Sequence, residues 1–385
     1  WDGGLAVQGG VLLGTICGFW FLFKYYPDTK KYPKALIADV IIPNSVTRIG
    51  SSAFDSCHSL TSVTIPDSVT TIGNSAFHNC TKLKEIIIPN SVTTIGKNAF
   101  QKCNNLPSIT LSNTLTSIDS NAFLDCSSLT TIAIPNSVKT IETGAFYNCT
   151  AATSISLGDS VTTIGNSAFY YCIKVTTLTI GKGVQSIGES AFYQLGYSAT
   201  SMLIIDYNAT ECNDLASASI SPFYQAGNST YKAKLIVGST VQKVPAYMFT
   251  DSSSSYAPRI SEIEFVGNSV TTIGRGAFAR NYNLADVYYG GSEEQWNIIN
   301  IKEENPTVDE LKEWYAKSSK ELKKFFNTSG LLYKSMELKT KLPTMTEDEM
   351  LKLLATDGML VKRPILIGDD FVLVGFKEAE WKEII

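Results

Sequence analysis

Eight cysteines and two histidines are the residues of this 385-residue chain best suited to covalent or metal chemistry. Paired thiols form disulfides, four thiolates or imidazoles at settled spacing hold zinc, and a thiolate beside a base is a nucleophile. The spacing favours none of these. Cys57, Cys80, Cys103, Cys126, Cys149 and Cys172 recur every 23 residues. No Cys-x-x-Cys occurs, and only His58 and His78 lie near two of the thiols. Cys17 and Cys212 have no histidine close in sequence. A cysteine on a repeat lattice behaves as a small buried apolar group. Stacked neighbours could also pair as disulfides, and the spacing leaves that open. No catalytic residue, metal or cofactor is expected.

Other residues share the lattice. An Ala-Phe pair places Phe at 54, 77, 100, 123, 146, 169 and 192, and an apolar residue recurs at Ile42, Ile65, Ile88, Leu111, Ile134, Leu157 and Ile180. In one unit, Ile86-x-Ile88 alternates as a short strand does, and Pro89 ends it. Val92, Ile95, Ala99 and Phe100 then fall three or four apart, which predicts a short helical or 3₁₀ turn on the opposite side. A single unit cannot bury its own apolar face, whereas stacked units can. The predicted fold class is therefore α/β: a solenoid of parallel strands, followed by a mostly helical C-terminal module.

The run Ile65-Pro66-Asp67-Ser68-Val69-Thr70-Thr71-Ile72-Gly73, repeated from Ile88 to Gly96, resembles the BspA-like leucine-rich-repeat family. That resemblance spans 36–301. It implies a surface protein concerned with adhesion and partner binding. Residues 193–234 read as a Ser/Thr/Tyr/Ala-rich insertion. Two further coils follow it, about nine in all, and Val287 to Trp296 reads as a polar terminal coil.

The strand positions that alternate with the core form a candidate binding ribbon: Ser62, Thr64, Glu85, Ser108, Thr110, Thr131, Ser154, Ser156, Thr177 and Thr179. It is rich in hydroxyls and nearly uncharged. It reads either as a solvated β-face or as a broad recognition surface for a protein or glycan. Glu85, Ile87 and Ala133 interrupt the threonine pattern and argue against ice binding. Net charge of −4 and a pI near 5.4 give no basic field for nucleic acid.

Residues 1–35 have a different character. Leu5 to Phe23 is free of charge and long enough to cross a ~30 Å hydrocarbon core as a helix. Trp20, Tyr25 and Tyr26 would sit at the interface, and Lys24, Lys30, Lys31 and Lys34 would place the C-terminal side in the cytoplasm. A signal-peptide core or a buried helix is the alternative. The expectation is a membrane-tethered protein at the cell surface. A chain starting at Trp1 is expected to lack an upstream piece. The pattern is faintly similar to single-span accessory subunits of respiratory complex I.

Residues 302–385 hold 14 of the 32 Lys+Arg and 16 of the 36 Asp+Glu. Helices are predicted from Thr307, over Lys320 to Asn327, from Thr346 through Leu354, and from Lys377 to Ile385. Arg363–Ile367 and Phe371–Val374 read as a hairpin. Asn327-Thr328-Ser329-Gly330, Asp357 to Pro364, and Gly368-Asp369-Asp370 resemble the ArsC/Spx family, a thioredoxin-like fold related to arsenate reductase. The resemblance implies that Pro364 is a cis proline and that Arg363 helps bind an oxyanion. The family's first half, with its nucleophilic Cys, has no counterpart here, and no Cys follows Cys212. Reductase or redox-regulator activity is thus the disfavoured alternative. The module is expected to be incomplete, loosely packed and exposed at a sheet edge. The three parts together look like a chimera.

Overall fold

The computed structural model describes residues 38–216, 221–250, 259–279, 281, 283–301, 308–318, 320–328, 330–356 and 360–362, with backbone alone at 300–301 and 331–332. It also describes the backbone of strands at 4–7, 11–14, 365–367 and 372–374. The chain divides into two units, Trp1–Asn300 and Ile301–Ile385.

The first unit is a stack of three-sided coils, each side held by hydrogen bonds to the next coil. The ribbon side carries parallel strands such as Thr131–Ile134, Ser154–Leu157 and Thr177–Ile180, paired one repeat apart. The second side is also a ladder of short parallel strands. Arg48–Ile49, Thr71–Ile72, Thr94–Ile95, Ser117–Ile118, Thr140–Ile141, Thr163–Ile164 and Ser186–Ile187 form one seven-stranded sheet. A strand thus replaces much of the helical turn expected there. The β-branched Thr-Thr-Ile run favours extended backbone, and the neighbouring coil supplies its partners. At the corner that follows, Gly73 lies so close to the preceding coil that a Cβ would meet Ser51 N at 2.7 Å.

The third side, around each Ala-Phe pair, is where helical character survives. Ala76 N–H donates to Gly73 O, and Cys80 N–H to Phe77 O, each three residues back. The intervening N–H groups of Ser75, Phe77 and Asn79 reach the next coil at Lys97, Ala99 and Gln101. This alternation needs left-handed backbone two residues before and after the Phe, as at Ser75 (φ 53°) and Asn79 (φ 59°). Asn and Asp tolerate that region best among residues with a Cβ, and they recur there at Asn98, Asn121, Asp125 and Asn148.

The lattice residues fill the interior. The Phe rings from Phe54 to Phe192 stack with centroids 5.0–5.4 Å apart and planes within 1–9°. All six lattice cysteines are buried and outside any disulfide. The Cys80 thiol donates to Phe54 O at 3.1 Å, and Cys103, Cys126, Cys149 and Cys172 repeat this bond to Phe77, Phe100, Phe123 and Phe146. Cys is therefore a hydrogen-bonded core residue. Burial pushes the Cys126 thiol up to about 12 and holds Cys103 and Cys149 well above the usual thiol range.

The lattice serine has a similar role. Ser68 and Ser91 hydroxyls donate at 2.7 Å to Val46 O and Val69 O in the preceding coil. Ser137 sits at the same place with its buried hydroxyl unpartnered. We therefore expect Ser91→Ala to cost about 1 kcal/mol and Ser137→Ala to be close to neutral. Urea denaturation of the two variants measures the difference, and equal losses would contradict the bonding.

The expected insertion at 193–234 is instead a coil. Leu203–Tyr207 pairs in parallel with Thr177–Ile180 on one side and Ala233–Val237 on the other. Phe223 continues the ring stack 4.9 Å from Phe192. Pro222 in place of Ala, and longer corners, hide this coil from a fixed 23-residue period. Ten lattice phenylalanines, from Phe54 to Phe278, are therefore present among the described residues, against about nine expected coils.

The ends are covered. Glu293–Asn297 is a one-turn helix with a Ser292/Gln295 capping box. Its Trp296 packs edge-on to Phe265 at 5.6 Å and Tyr289 at 5.1 Å. At the other end, Gly4–Val7 and Val11–Gly14 pair as an antiparallel hairpin. This corrects the expected helix over 5–23 at residues 5–7 and 11–14; the rest lies outside the described residues. A Gly9-Gly10 pair between two apolar runs favours a hairpin over a helix. No helix among the described residues is long and apolar enough to cross a membrane. The likeness to a single-span respiratory subunit loses its basis with the continuous helix.

In the second unit, helices Val308–Lys317 and Glu347–Thr356 match expectation. Thr346 caps the latter, exchanging bonds with Glu349. The helix expected over Lys320 to Asn327 is only a 3₁₀ turn, Leu322–Phe325, after which the chain pairs with 360–362 through Asn327 N–Leu360 O and Lys362 N–Phe325 O. Two short helices, Leu331–Ser335 and Leu338–Lys341, were not foreseen. The predicted hairpin is present as Ile365–Ile367 and Val372–Val374. Leu311, Leu322, Phe325, Phe326, Leu338 and Leu354 centre a small core. Residues 377–385, expected to be helical, lie outside the described residues.

Candidate binding surface

The ribbon positions exist because a strand turns alternate side chains outward. Within Thr131–Ile134, Ile132 and Ile134 are buried while Thr131 and Ala133 face out. Pairing then aligns the outward side chains into two rows along the solenoid, with one register shift at Ala233/Lys234, where Ser261 is bypassed. One row runs through Thr131, Ser154, Thr177, Ile204, Lys234, Glu262 and Asp286. The other runs through Ala133, Ser156, Thr179, Asp206, Ile236, Glu264 and Tyr288. Ser62, Thr64 and Glu85 lie on the matching rows of the first coils. All ten candidate residues are exposed or half-buried, and they share this one side.

The rows change character along their length. Near the start, Ile41 and Ile87 are 53% and 63% exposed. Asp39 there accepts bonds from Ser62 and Thr61 at 2.7 Å, and these hydroxyls hold its carboxyl below the usual range. The middle is hydroxyl-bearing. The far end is charged and aromatic. Lys234 bridges Glu264 at 2.9 Å and Glu262 at 3.7 Å, and its ammonium lies 5.7 Å from the Tyr288 ring centre. Tyr288 is 52% exposed. Sequence reasoning missed Lys234, Glu262, Glu264 and Tyr288 because the lattice was lost at the supposed insertion. The alternation in Ala233–Val237 and Ile263–Phe265 is the signal that identifies them.

Ser108 and Thr110 face outward but lie at a break. The ribbon strands at 39–41, 62–64 and 85–86 form one sheet, and those from 131 onward form another. In the other coils the residue before the ribbon donates its N–H one coil back, as Lys84 does to Thr61 and Thr130 to Pro107. Pro107 has no N–H to give. Only an isolated bridge between Ile87 and Thr110 remains, and Ile109 is half-buried where its lattice equivalents are buried.

The third side carries a separate column. The residue after the lattice Phe is Tyr147, Tyr170, Tyr193 and Tyr224 in four successive coils. These half-buried rings stack at 4.7, 4.3 and 5.3 Å. Tyr171 tilts against them, 4.9 Å from Tyr170 and 5.7 Å from Tyr193. Burial first, and then the neighbouring phenols, push Tyr170 up to about 12, and Tyr147 is raised too. A raised folded pKa means stability that is complete below the free phenol's pKa near 10 and is lost as pH climbs towards 12. Absorbance titration is expected to show a late group of phenols, with unfolding beginning in that window. A single phenolate wave near pH 10 in the folded protein would contradict it.

Two family matches account for this construction. The sequence matches the BspA type leucine rich repeat region, in six copies, over residues 30–152 and 117–285. The chain belongs to this family. Its BspA-type repeats explain the shared lattice of Phe, Cys and Ser described above. Residues 232–384 match the ArsC family, so the C-terminal unit carries an ArsC family domain. That match begins among strands which pair in the repeat ladder. The uncharacterized protein YusI of Bacillus subtilis is 54% identical over 87 residues, which is 23% of this chain and 74% of that protein. An ArsC family related protein of solved structure from Bacteroides fragilis is 50% identical over 24% of this chain and 84% of its own, with a TM-score of 0.21. A leucine-rich repeat protein from Bacteroides ovatus is 25% identical over 70% of this chain and 84% of its own, with a TM-score of 0.39. A leucine rich cell surface protein from Faecalibacterium prausnitzii is 24% identical over 77% and 88%, with a TM-score of 0.37.

Arg363 and Pro364, the oxyanion residues implied by the ArsC resemblance, lie outside the described residues. Cys212, the last thiol in the sequence, is buried in the repeat unit, where desolvation pushes it up to about 11.

Proposed function

We propose that this chain is a non-catalytic, partner-binding solenoid of the cell surface, with the outward ribbon as its contact face for a protein ligand. The observation that carries this reading is the pair of outward rows, aligned by the parallel ladder from Thr131 to Tyr288 with a single register shift at Ala233/Lys234. Such a surface is preorganised: its strands do not have to be ordered on binding, which lowers the entropic cost of association. Its graded chemistry offers apolar, hydroxyl and charged contacts in one direction. Family membership supports the surface location. The ArsC domain has no thiol of its own in this chain, so the nucleophile that reductase chemistry needs is not among its residues.

The test uses the full chain on an array of extracellular proteins and glycans. Each hit is compared with two variants. Thr131→Lys with Thr177→Lys alters the ribbon, and Thr94→Lys with Ser186→Lys adds the same charge on the second side. We expect protein hits that weaken at least tenfold in the ribbon variant only. Equal weakening in both variants, or hits confined to glycans, would overturn the assignment.

A further inference from the structure

We propose that the tyrosine column of the third side is a docking rail for a proline-rich segment in the polyproline II conformation, with a basic residue at the end that meets Asp125. The rail is distinct from the ribbon and goes beyond the reading above.

The column is not demanded by the fold. The lattice place after each Phe is filled by Asp55, His78, Gln101 and Leu124 in the earlier coils, which are built in the same way. Tyrosine then occupies it four times running and gives way to Thr250 and Ala279. Stacking explains how the rings are held, at about 0.5–1.5 kcal/mol per pair, but not why their edges and hydroxyls line a half-exposed strip.

The spacing selects the occupant. The first two steps of the column, 4.7 and 4.3 Å, together span about 9 Å. A polyproline II helix repeats every three residues at about 3.1 Å each, or roughly 9.3 Å per turn. Every third residue of such a segment therefore meets every second tyrosine. A β-strand presents alternate side chains at about 6.7 Å and falls out of step with the rings. Tyr171, tilted by 35° from Tyr170, forms a side wall to the strip. Aromatic-walled strips of this kind suit proline rings, which lose little entropy because the segment is already extended.

Charge and hydrogen bonding agree. The strip made by residues 124, 125, 147, 148, 170, 171, 193, 194, 224 and 225 contains one carboxylate and no cation. That carboxylate is Asp125, at the Tyr147 end, where Asn148 Nδ2 donates to it at 2.8 Å. The amides of Gln194 and Gln225 bond to each other beside the far end of the column. A segment rich in proline has few N–H groups and many carbonyl acceptors, which phenol O–H donors suit.

The experiment is fluorescence anisotropy with the full chain and a labelled peptide of ten prolines preceded by two arginines. We expect saturable binding. Tyr170→Gln with Tyr193→Gln uses a residue that Gln101 already places on this lattice. It should weaken binding at least tenfold while the circular dichroism spectrum stays that of the folded parent, with melting lowered by the lost ring stacking. Tyr170→Phe with Tyr193→Phe keeps the stacked rings and removes two phenol donors; it serves if the glutamine variant fails to fold, with binding expected to weaken severalfold, and unchanged binding in it would overturn the proposal. Asp125→Asn should weaken binding severalfold and flatten its salt dependence. No saturable binding, unchanged binding in the glutamine variant, or equal binding of a Gly-Ser peptide with the same two arginines would each overturn the proposal.

Discussion

Replacing Phe146 by alanine will cost the repeat unit about 3–5 kcal/mol and split its unfolding into two transitions. Phe146 is fully buried, and its ring touches Phe123 at 5.0 Å and Phe169 at 5.4 Å. In a globular core, neighbours from several directions partly close around a lost ring. Here the missing atoms lie on a single axis, and the coils above and below are pinned by their own ladders. The gap therefore persists as a weakened interface between two blocks. Stability in such arrays is a sum of coil terms and nearest-neighbour terms, so weakening one interface uncouples the blocks. Urea denaturation followed by far-ultraviolet circular dichroism, with hydrogen exchange to assign the blocks, checks the result. One sharp transition with a loss under about 1 kcal/mol would show that the stack is not the coupling element.

The same substitution at Phe325 should unfold the C-terminal unit and leave the solenoid as it was. Phe325 is fully buried against Tyr315, edge-on at 6.1 Å, in a core of few large residues. Losing about 3–5 kcal/mol from a unit of this size removes most of what small domains typically possess. Amides in 308–361 are expected to exchange at nearly unprotected rates while those in 131–289 keep their protection. The parent protein supplies the baseline: its C-terminal amides should already exchange faster than those of the solenoid. Equally slow exchange in both units of the parent would contradict the loose packing expected of an incomplete ArsC domain.

The repeat architecture was legible because three residue classes fall on one period, and the physics behind each is local: a stacked ring, a thiol bonded to a neighbouring carbonyl, a strand ended by proline. Legibility failed where the period stretched. Leu203–Tyr207 is a full ribbon strand, but 27 residues separate Leu178 from its partner Ile205. With that coil unread, the charged end of the ribbon at Lys234, Glu262 and Glu264 was unread too. The second-side strands were missed for another reason. Two-residue strands such as Thr71–Ile72 have no alternation of their own, and only the coil next door makes them strands. The break at Pro107 was readable in principle, since a proline stood where other coils need an N–H. At the N-terminus, the apolarity of Leu5 to Phe23 suggests a helix, but Gly9-Gly10 interrupts it and the segments on either side pair as a hairpin.

In the regular stretch the bonds that hold each coil reach 22 to 26 residues along the chain, as Ser68 to Val46, Thr93 to Thr70 and Cys103 to Phe77 illustrate. No coil in the regular stretch depends on a distant one. Duplication or loss of a whole 23-residue unit in the gene would therefore leave every remaining coil with an equivalent neighbour. A lineage could lengthen or shorten the ribbon by recombination between near-identical repeats, and change its reach without redesigning a single contact.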